Sequence, residues 1–294
     1  MKQISVIIAN YNGEKYLPAL LMDLINQSVD DFTTIIVDDA SQDDSLSIIR
    51  EIVGDQPRFQ VLESAINRGF IESCYAGLDQ APGDYLCFLN NDTRLDRYFI
   101  ERNLKILEEN PSIGALSCRI VDKTGNNWFS GGKIVLGIPR ILTDDFRGIR
   151  EVDWIAATAV FYLRQVLEEA GFWKKEYQMY HEDVELSLRI RRDTEYRLCI
   201  FSDPLVQHLE PGTSQSTYRH FYYHFRNLIL LQKEYFPRNI FLTLLLYIPA
   251  NLIRVIFSRE SWEGKKGYVS GCFSGALSGL LPKICAGREI KITD

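Results

Sequence analysis

Four short apolar runs rich in β-branched and aromatic residues, spaced by amphipathic helical patterns, constrain this chain more than any other feature. Ile4–Ala9, Thr34–Val37, Phe59–Leu62 and Tyr85–Leu89 read as strands, and Glu14–Ile25, Leu46–Val53 and Ile71–Gln80 as the helices between them. Strands alternating with helices predict right-handed βαβ crossovers and a largely parallel sheet. Such sheets bind ligands at the carboxyl ends of their strands. That rule selects Asn10–Asn12, Asp38–Ser41, Asn67–Gly69 and Asn90–Thr93, and all four stretches are polar.

The pattern continues with a helix over Arg97–Glu109, for which Asp96 is an N-cap candidate, and a strand near Ile113–Ser117. Residues 122–150 are Gly-rich and read as an irregular loop or hairpin insert. A second half follows: strand-like Trp154–Leu163, helix Gln165–Ala170 stopped by Gly171, and aromatic Phe172–Tyr180. His181-Glu182-Asp183 then opens a helix through Arg192. After it come a strand at Arg197–Phe201 and a polar loop, Gln207–Ser216, containing His208.

The C-terminal part differs. Tyr218–Phe236 reads as an aromatic-rich helix. Ile240–Phe257 is mostly apolar but carries Pro249, Asn251 and Arg254, so it is marginal as a transmembrane span of about 20 residues. An in-plane amphipathic helix suits it better. Gly267, Gly271, Gly275 and Gly279 would form one small-residue helical face, against the protein's own helices or against a membrane or oligomer partner.

Charge separates the same two regions. The 294 residues hold 33 Lys+Arg and 39 Asp+Glu, a net −6, which argues against a nucleic-acid binder. Residues 233–294 alone carry nine basic and five acidic side chains, net +4, while the rest carries −10. A basic tail behind an acidic body points to an anionic surface such as a membrane. Six cysteines without a CxxC pair read as reduced core thiols of a cytosolic protein, and Ile4–Ala9 is too short for a signal peptide. No GxGxxG follows the first strand, and neither a P-loop nor a GxSxG elbow occurs.

Several polar residues suit two roles. In Asn90-Asn91-Asp92-Thr93, a carboxylate at the sheet's edge suits Mg²⁺ or Mn²⁺ facing a diphosphate, while the same residues also favour a plain turn. Asp38-Asp39 suits an Asx turn with a helix cap, or contacts to a nucleobase and ribose. Glu182 and Asp183 favour the dipole of the helix they open. They equally suit a general base beside an aromatic rim of Trp173, Tyr177 and Tyr180. His208 reads as a surface residue or a metal ligand. His220 and His224 read as interfacial packing and take no role.

Taken in order, Ser5–Asn12 (SVIIANYN), Ile36–Asp43 (IVDDASQD), Asn67–Phe70 (NRGF) and Gly83–Thr93 (GDYLCFLNNDT) resemble family 2 glycosyltransferases of the GT-A fold. Tyr180–Arg189 (YHEDVELSLR) and Val206–His208 extend the resemblance to about residue 230. Within the family, the chain is similar to the rhamnosyltransferase- and galactofuranosyltransferase-like enzymes of bacterial surface-polysaccharide assembly. The resemblance implies an α/β GT-A domain over residues 1–217, nucleotide-binding to about 120 and acceptor-binding beyond. Residues 218–294 would then be a helical, amphipathic, membrane-associating region.

By the same resemblance, Ala9 and Tyr11 line the base pocket, Asp39 and Asp38 bond base and ribose, and Arg68 assists at base or phosphate. Asn90 and Asn91 flank the donor, Asp92 and His208 hold a divalent metal (Mg²⁺ or Mn²⁺), and Trp154 lies near the sugar. Asp183 is the catalytic base, with Glu182 beside it. Two positions depart from the family pattern: Asn90 replaces the first acid of the DxD motif, and Ala9 replaces a Pro or Thr. The implied activity is inverting sugar transfer from a nucleotide-diphosphate donor to a saccharide or lipid-linked acceptor, at the cytoplasmic face of the cell membrane, with a homo-oligomer an open option. The alternative is a catalytically inactive nucleotide-sugar-binding subunit, which Asn90 favours. A nucleotidyltransferase would need a Gly-rich basic loop where Tyr11–Glu14 stands.

Overall fold

All four expected strands form, each slightly longer than its apolar run: β1 (Ile4–Asn10), β2 (Phe32–Asp38), β3 (Phe59–Glu63) and β4 (Tyr85–Asn90). The computed structural model describes residues 3–210, 218–257 and 262–281. Helices α1 (Leu17–Ile25), α2 (Ser45–Val53) and α3 (Phe70–Gln80) connect the strands, which lie parallel in the order β3-β2-β1-β4. Val6, Ile7 and Ile8 of β1 are all fully buried, because helices cover both faces of the sheet. The register places Ala9 beside both Val37 and Asn90, and Asn10 beside Asp38. Three polar strand ends therefore meet at one edge.

The second half comprises β5 (Thr93–Leu95), α4 (Phe99–Glu109), β6 (Ile113–Val121), β7 (Asn127–Phe129), β8 (Gly131–Val135), β9 (Ile138–Leu142), β10 (Ile149–Glu151), β11 (Ala159–Leu163), α5 (Arg164–Ala170), α6 (Glu182–Asp193) and β12 (Arg197–His208). The ten-stranded sheet runs β10-β12-β6-β11-β4-β1-β2-β3, with β5 paired to β12 and β7 to β6 off this path. Strand β11 lies antiparallel between β4 and β6, so the sheet is mixed but mostly parallel, as the GT-A expectation has it.

Local expectations need correction here. Of the loop or hairpin expected over residues 122–150, the hairpin is present as β8–β9, and the irregular part is replaced by β7 and β10, which join the main sheet. The strand expected from Trp154 begins only at Ala159, and Trp154 makes one isolated bridge to Gly132. Asp96 is not the N-cap of α4; its carboxylate accepts the Tyr98 N–H at 2.8 Å one turn earlier, and Tyr98 occupies the cap. Strand β12 runs on past Phe201, through a register shift, to end at His208. Of the polar loop expected over Gln207–Ser216, residues 211–217 lie outside the described residues.

The C-terminal part is helical: α7 (Tyr218–Tyr235), a 3₁₀ turn (Pro237–Asn239), α8 (Ile240–Leu242), a π turn (Thr243–Tyr247), α9 (Ile248–Ile256) and α10 (Trp262–Leu280). Pro249 has no N–H to give the carbonyl four residues back, and the π turn takes up that irregularity. Pro237–Ile256 has a mean hydropathy of 1.7 with 11% of it buried, which is long and apolar enough to cross a membrane by length and composition. The glycine face of α10 packs against the protein's own α7. A Cβ on Gly271, Gly275 or Gly279 would lie 2.6, 2.2 or 2.6 Å from the carbonyls of Tyr218, Tyr222 and Arg226.

Helix α7 is not a detachable appendage, because its Leu231 belongs to the main core and Leu230, Tyr235 and Phe236 pack on it. A division at residue 217 therefore falls inside a packed unit. Cys74, Cys87, Cys118, Cys199 and Cys272 are buried free thiols; Cys285 lies outside the described residues.

Candidate active site

A cleft of about 490 Å³ opens at the carboxyl ends of β1, β2 and β4. Ala9, Tyr11, Asp39, Asn90, Asn91 and Asp92 line one side; Trp154, Glu182 and Asp183 line the other. Trp128, Phe129, Ile141, Met179 and Tyr180 also line it, and the sequence does not mark them as donor-site residues. Trp128, Phe129 and Ile141 come from β7 and the β8–β9 hairpin, whose Gly-rich sequence concealed an ordered element. Of the expected aromatic rim only Tyr180 faces the cleft. Trp173 and Tyr177 are 0% and 1% exposed and belong to the core.

At the nucleotide end, the two neighbouring aspartates part company. Asp38 is not a lining residue: its Oδ1 accepts the Ser41 N–H at 3.0 Å, and its Oδ2 accepts the Ser41 hydroxyl at 2.7 Å and the Asn10 amide at 2.8 Å. It closes the turn after β2 and orients Asn10, which in turn accepts the Asn91 amide at 2.7 Å. Asp39 lines the cleft and accepts the backbone N–H groups of Arg68 (3.0 Å) and Gly69 (2.7 Å), holding the loop after β3 against the site. The Arg68 side chain is exposed and outside the lining, between lining residues Asn67 and Gly69, and its backbone N–H reaches Asp39.

Asp92 and His208 lie 116 positions apart in sequence, yet β5 follows Asp92 directly and pairs antiparallel with the end of β12, setting His208 opposite Thr93. The Leu209 N–H donates to the Asp92 carbonyl at 2.9 Å, fixing the approach. His208 Nε2 and Asp92 Oδ1 are 3.1 Å apart, and both side chains are largely buried. The other imidazole nitrogen, Nδ1, is buried without a hydrogen-bond partner among the described residues. Trp128 packs edge-on against the ring, with centroids 5.1 Å apart.

One carboxylate and one imidazole in direct contact at 3.1 Å are donors of the kind a divalent cation takes, and its remaining ligands would have to be water and phosphate oxygens. Among the described residues no group of three or more His, Cys, Asp or Glu gathers to form a closed protein cage. Asn90 is consistent with that sparse donor set.

Glu182 and Asp183 occupy the first turn of α6. Asp183 accepts the Val184 N–H at 2.7 Å and the Ala157 N–H at 3.3 Å, which ties α6 to the cleft floor. Glu182 Oε2 is buried with no hydrogen-bond partner among the described residues. Burial, with the Asp183 charge beside it, pushes the Glu182 carboxyl up to about 8. Burial also raises Asp183, to about 6, against the lowering effect of its backbone N–H partners. The two titrate as a pair, the arrangement that leaves one acid and one base at neutral pH.

The glycosyl transferase family 2 model matches residues 5–171, more than half the chain. The protein is a family 2 glycosyltransferase. A glycosyltransferase of Haemophilus influenzae is 33% identical over 110 residues, covering 37% of this chain and 44% of that one. A GalNAc(5)-diNAcBac-PP-undecaprenol beta-1,3-glucosyltransferase of Campylobacter jejuni is 31% identical over 96 residues, 32% of this chain and 31% of that one. The chain thus spans less than half the length of these relatives. In structure it is similar to a mannosyltransferase of Pyrobaculum calidifontis in complex with GDP-Man and Mn²⁺, with a TM-score of 0.62 and 14% identity over 95% of this chain and 87% of that one. At that identity the likeness speaks for the fold.

Proposed function

We propose that this family 2 glycosyltransferase moves a sugar, with inversion, from a nucleotide-diphosphate donor to a hydroxyl of a saccharide or lipid-linked acceptor in surface-polysaccharide synthesis. The observation that carries this reading is one cleft lined by Asp92 on one hand and by Glu182 and Asp183 on the other, with His208 outside the lining but 3.1 Å from Asp92. In this reading the nucleoside lies against Ala9, Tyr11 and Asp39, and the diphosphate turns toward Asn90, Asn91 and Asp92. Asp92 and His208 would hold a divalent cation there, which when bound would supply positive charge against the leaving diphosphate. The sugar lies against Trp154.

Asp183 takes the proton of the acceptor hydroxyl as its oxygen attacks the anomeric carbon from the face opposite the diphosphate. One displacement of this kind inverts the centre. Glu182, neutral at pH 7 with its raised carboxyl, spares Asp183 a neighbouring negative charge. Similarity to a relative named for an undecaprenol-linked substrate supports a lipid-linked acceptor.

The exposed apolar residues of Pro237–Ile256 and the basic balance of residues 233–294 support peripheral contact with the cytoplasmic face of the cell membrane. A mass-spectrometric screen of nucleotide sugars against a lipid-linked acceptor extract tests the reading. One donor transferred by wild type and not by Asp183→Asn is the expected result; no transfer from any donor with Mn²⁺ present favours the inactive-subunit alternative.

A further inference from the structure

The segment that delivers the catalytic carboxylates is held in a conformation its own sequence disfavours. Gln178, Tyr180 and His181 have φ of +53°, +63° and +67°, so three of four consecutive residues are left-handed and none is glycine. Non-glycine residues adopt that region reluctantly, because Cβ crowds the following carbonyl. Something outside the segment must over-determine it.

That something is one face of α7. The buried Asn227 amide nitrogen lies 2.7, 2.8 and 2.8 Å from the carbonyl oxygens of Tyr177, Met179 and Tyr180. Its amide cannot be flipped, since its Oδ1 accepts from Arg226 Nη1 at 2.7 Å, and that guanidinium also donates to the Glu176 carbonyl at 2.8 Å. On the same face, Tyr223 donates its hydroxyl to Gln178 Oε1, and His220 Nδ1 lies 2.7 Å from the Tyr180 hydroxyl. Positions 220, 223 and 227 follow i, i+3, i+7 spacing and so share one helix face. The segment they hold supplies Met179 and Tyr180 to the cleft wall, then His181 as the N-cap of α6 and Glu182 and Asp183 as its first turn.

We infer that Asn227 is a positioning residue for the transfer reaction: by gathering three carbonyls of the 177–181 segment it sets where α6 begins and therefore where Asp183 meets the acceptor. This rests on the proposed role of Asp183. It also gives α7 a purpose beyond linking the catalytic body to the C-terminal helices, since the helix gripped by the glycine face of α10 is the one that grips the active-site segment. Apart from Arg226 on its own helix, the side-chain hydrogen bonds described for Asn227 all go to this segment, and none of them reaches the nucleotide side of the cleft.

Asn227→Ala tests this by two independent readouts. Hydrogen exchange should quicken in peptides covering 176–185 and stay unchanged in β1–β4. Turnover on the donor selected by the screen should fall about 10²-fold in kcat with the donor KM unchanged, the scale of a small misplacement of a catalytic group. Tyr223→Phe, which removes one bond to the same segment without opening the core, should give the same pattern in weaker form and serves if the alanine variant fails to fold. Asn227→Asp, which turns a negative oxygen toward three carbonyls, should be at least as damaging as alanine. Unchanged exchange in 176–185, a loosened segment with unchanged kcat, or parallel loss of kcat and donor affinity would each overturn the inference. Wild-type protein that transfers no sugar would overturn the proposed function instead, while the exchange pattern still decides the clamp.

Discussion

At the scale of single residues, environment separates side chains that sequence treats as equivalent. Asp38 and Asp39 are adjacent acids after one strand, yet the first is consumed by Ser41 and Asn10, and the second faces the cleft. Glu182 and Asp183 are likewise adjacent, and burial raises both while their mutual charge keeps them from ionising together. If Asp183 is the base, turnover needs it ionised, so the acid limb of kcat/KM should lie near pH 6 and fall about tenfold per pH unit below it. A limb near 4 would show that the base is not raised by burial.

Glu182 makes a separate prediction for stability. Its carboxyl holds a proton more tightly folded than unfolded, so the associated stability is fully present below about 4.5 and is lost as pH rises through about 8. Glu182→Gln should therefore match wild type near pH 4 and gain on it as pH rises through about 8, read by denaturant melts. For the metal pair, His208→Ala should weaken Mn²⁺ binding, read by calorimetry with a nucleoside diphosphate present, by about tenfold or more.

At the scale of elements, the glycine face of α10 decides a competition between propensity and packing. Alanine in a helix interior is favoured over glycine by about 1 kcal/mol. At Gly275, however, a Cβ would stand 2.2 Å from the Tyr222 carbonyl oxygen, which is backbone and cannot turn aside. Overpacking of this kind costs typically about 1–3 kcal/mol, so Gly275→Ala should be a net loss in thermal or denaturant melts, whereas a stabilised variant would show that the two helices part easily. The same elements explain how the site assembles. The β5–β12 pairing brings His208 to Asp92, and the Ala157 and Val184 amides bring Asp183 to the cleft floor.

For the whole molecule, the uneven charge and the uneven apolar surface coincide at the C-terminal end. Phe241, Leu245, Leu246, Ile253 and Ile256 are exposed along Pro237–Ile256, and Arg238 and Arg254 lie in or beside that stretch. Burying two such leucines in a bilayer surface is worth several kcal/mol at about 25 cal/mol per Å². Leu245→Asp with Leu246→Asp should therefore abolish cosedimentation with anionic vesicles while leaving the melting temperature unchanged; full retention on the vesicles would remove the docking surface.

Much of this protein was legible in its residues alone because the signals are local. Period-two and period-3.6 patterns placed the first four strands and their helices, and the strand-end rule placed Asn10, Asp39 and Asp92 at one edge before any coordinates. Contacts between distant segments were not legible. Only the folded chain set His208 at the end of a strand against Asp92, turned Asp38 inward, withdrew Trp173 and Tyr177 from the cleft, and gave Asn227 three carbonyls to hold. The reason is physical: periodicity reports which face of an element meets water, whereas the direction of a polar side chain depends on partners up to a hundred residues away.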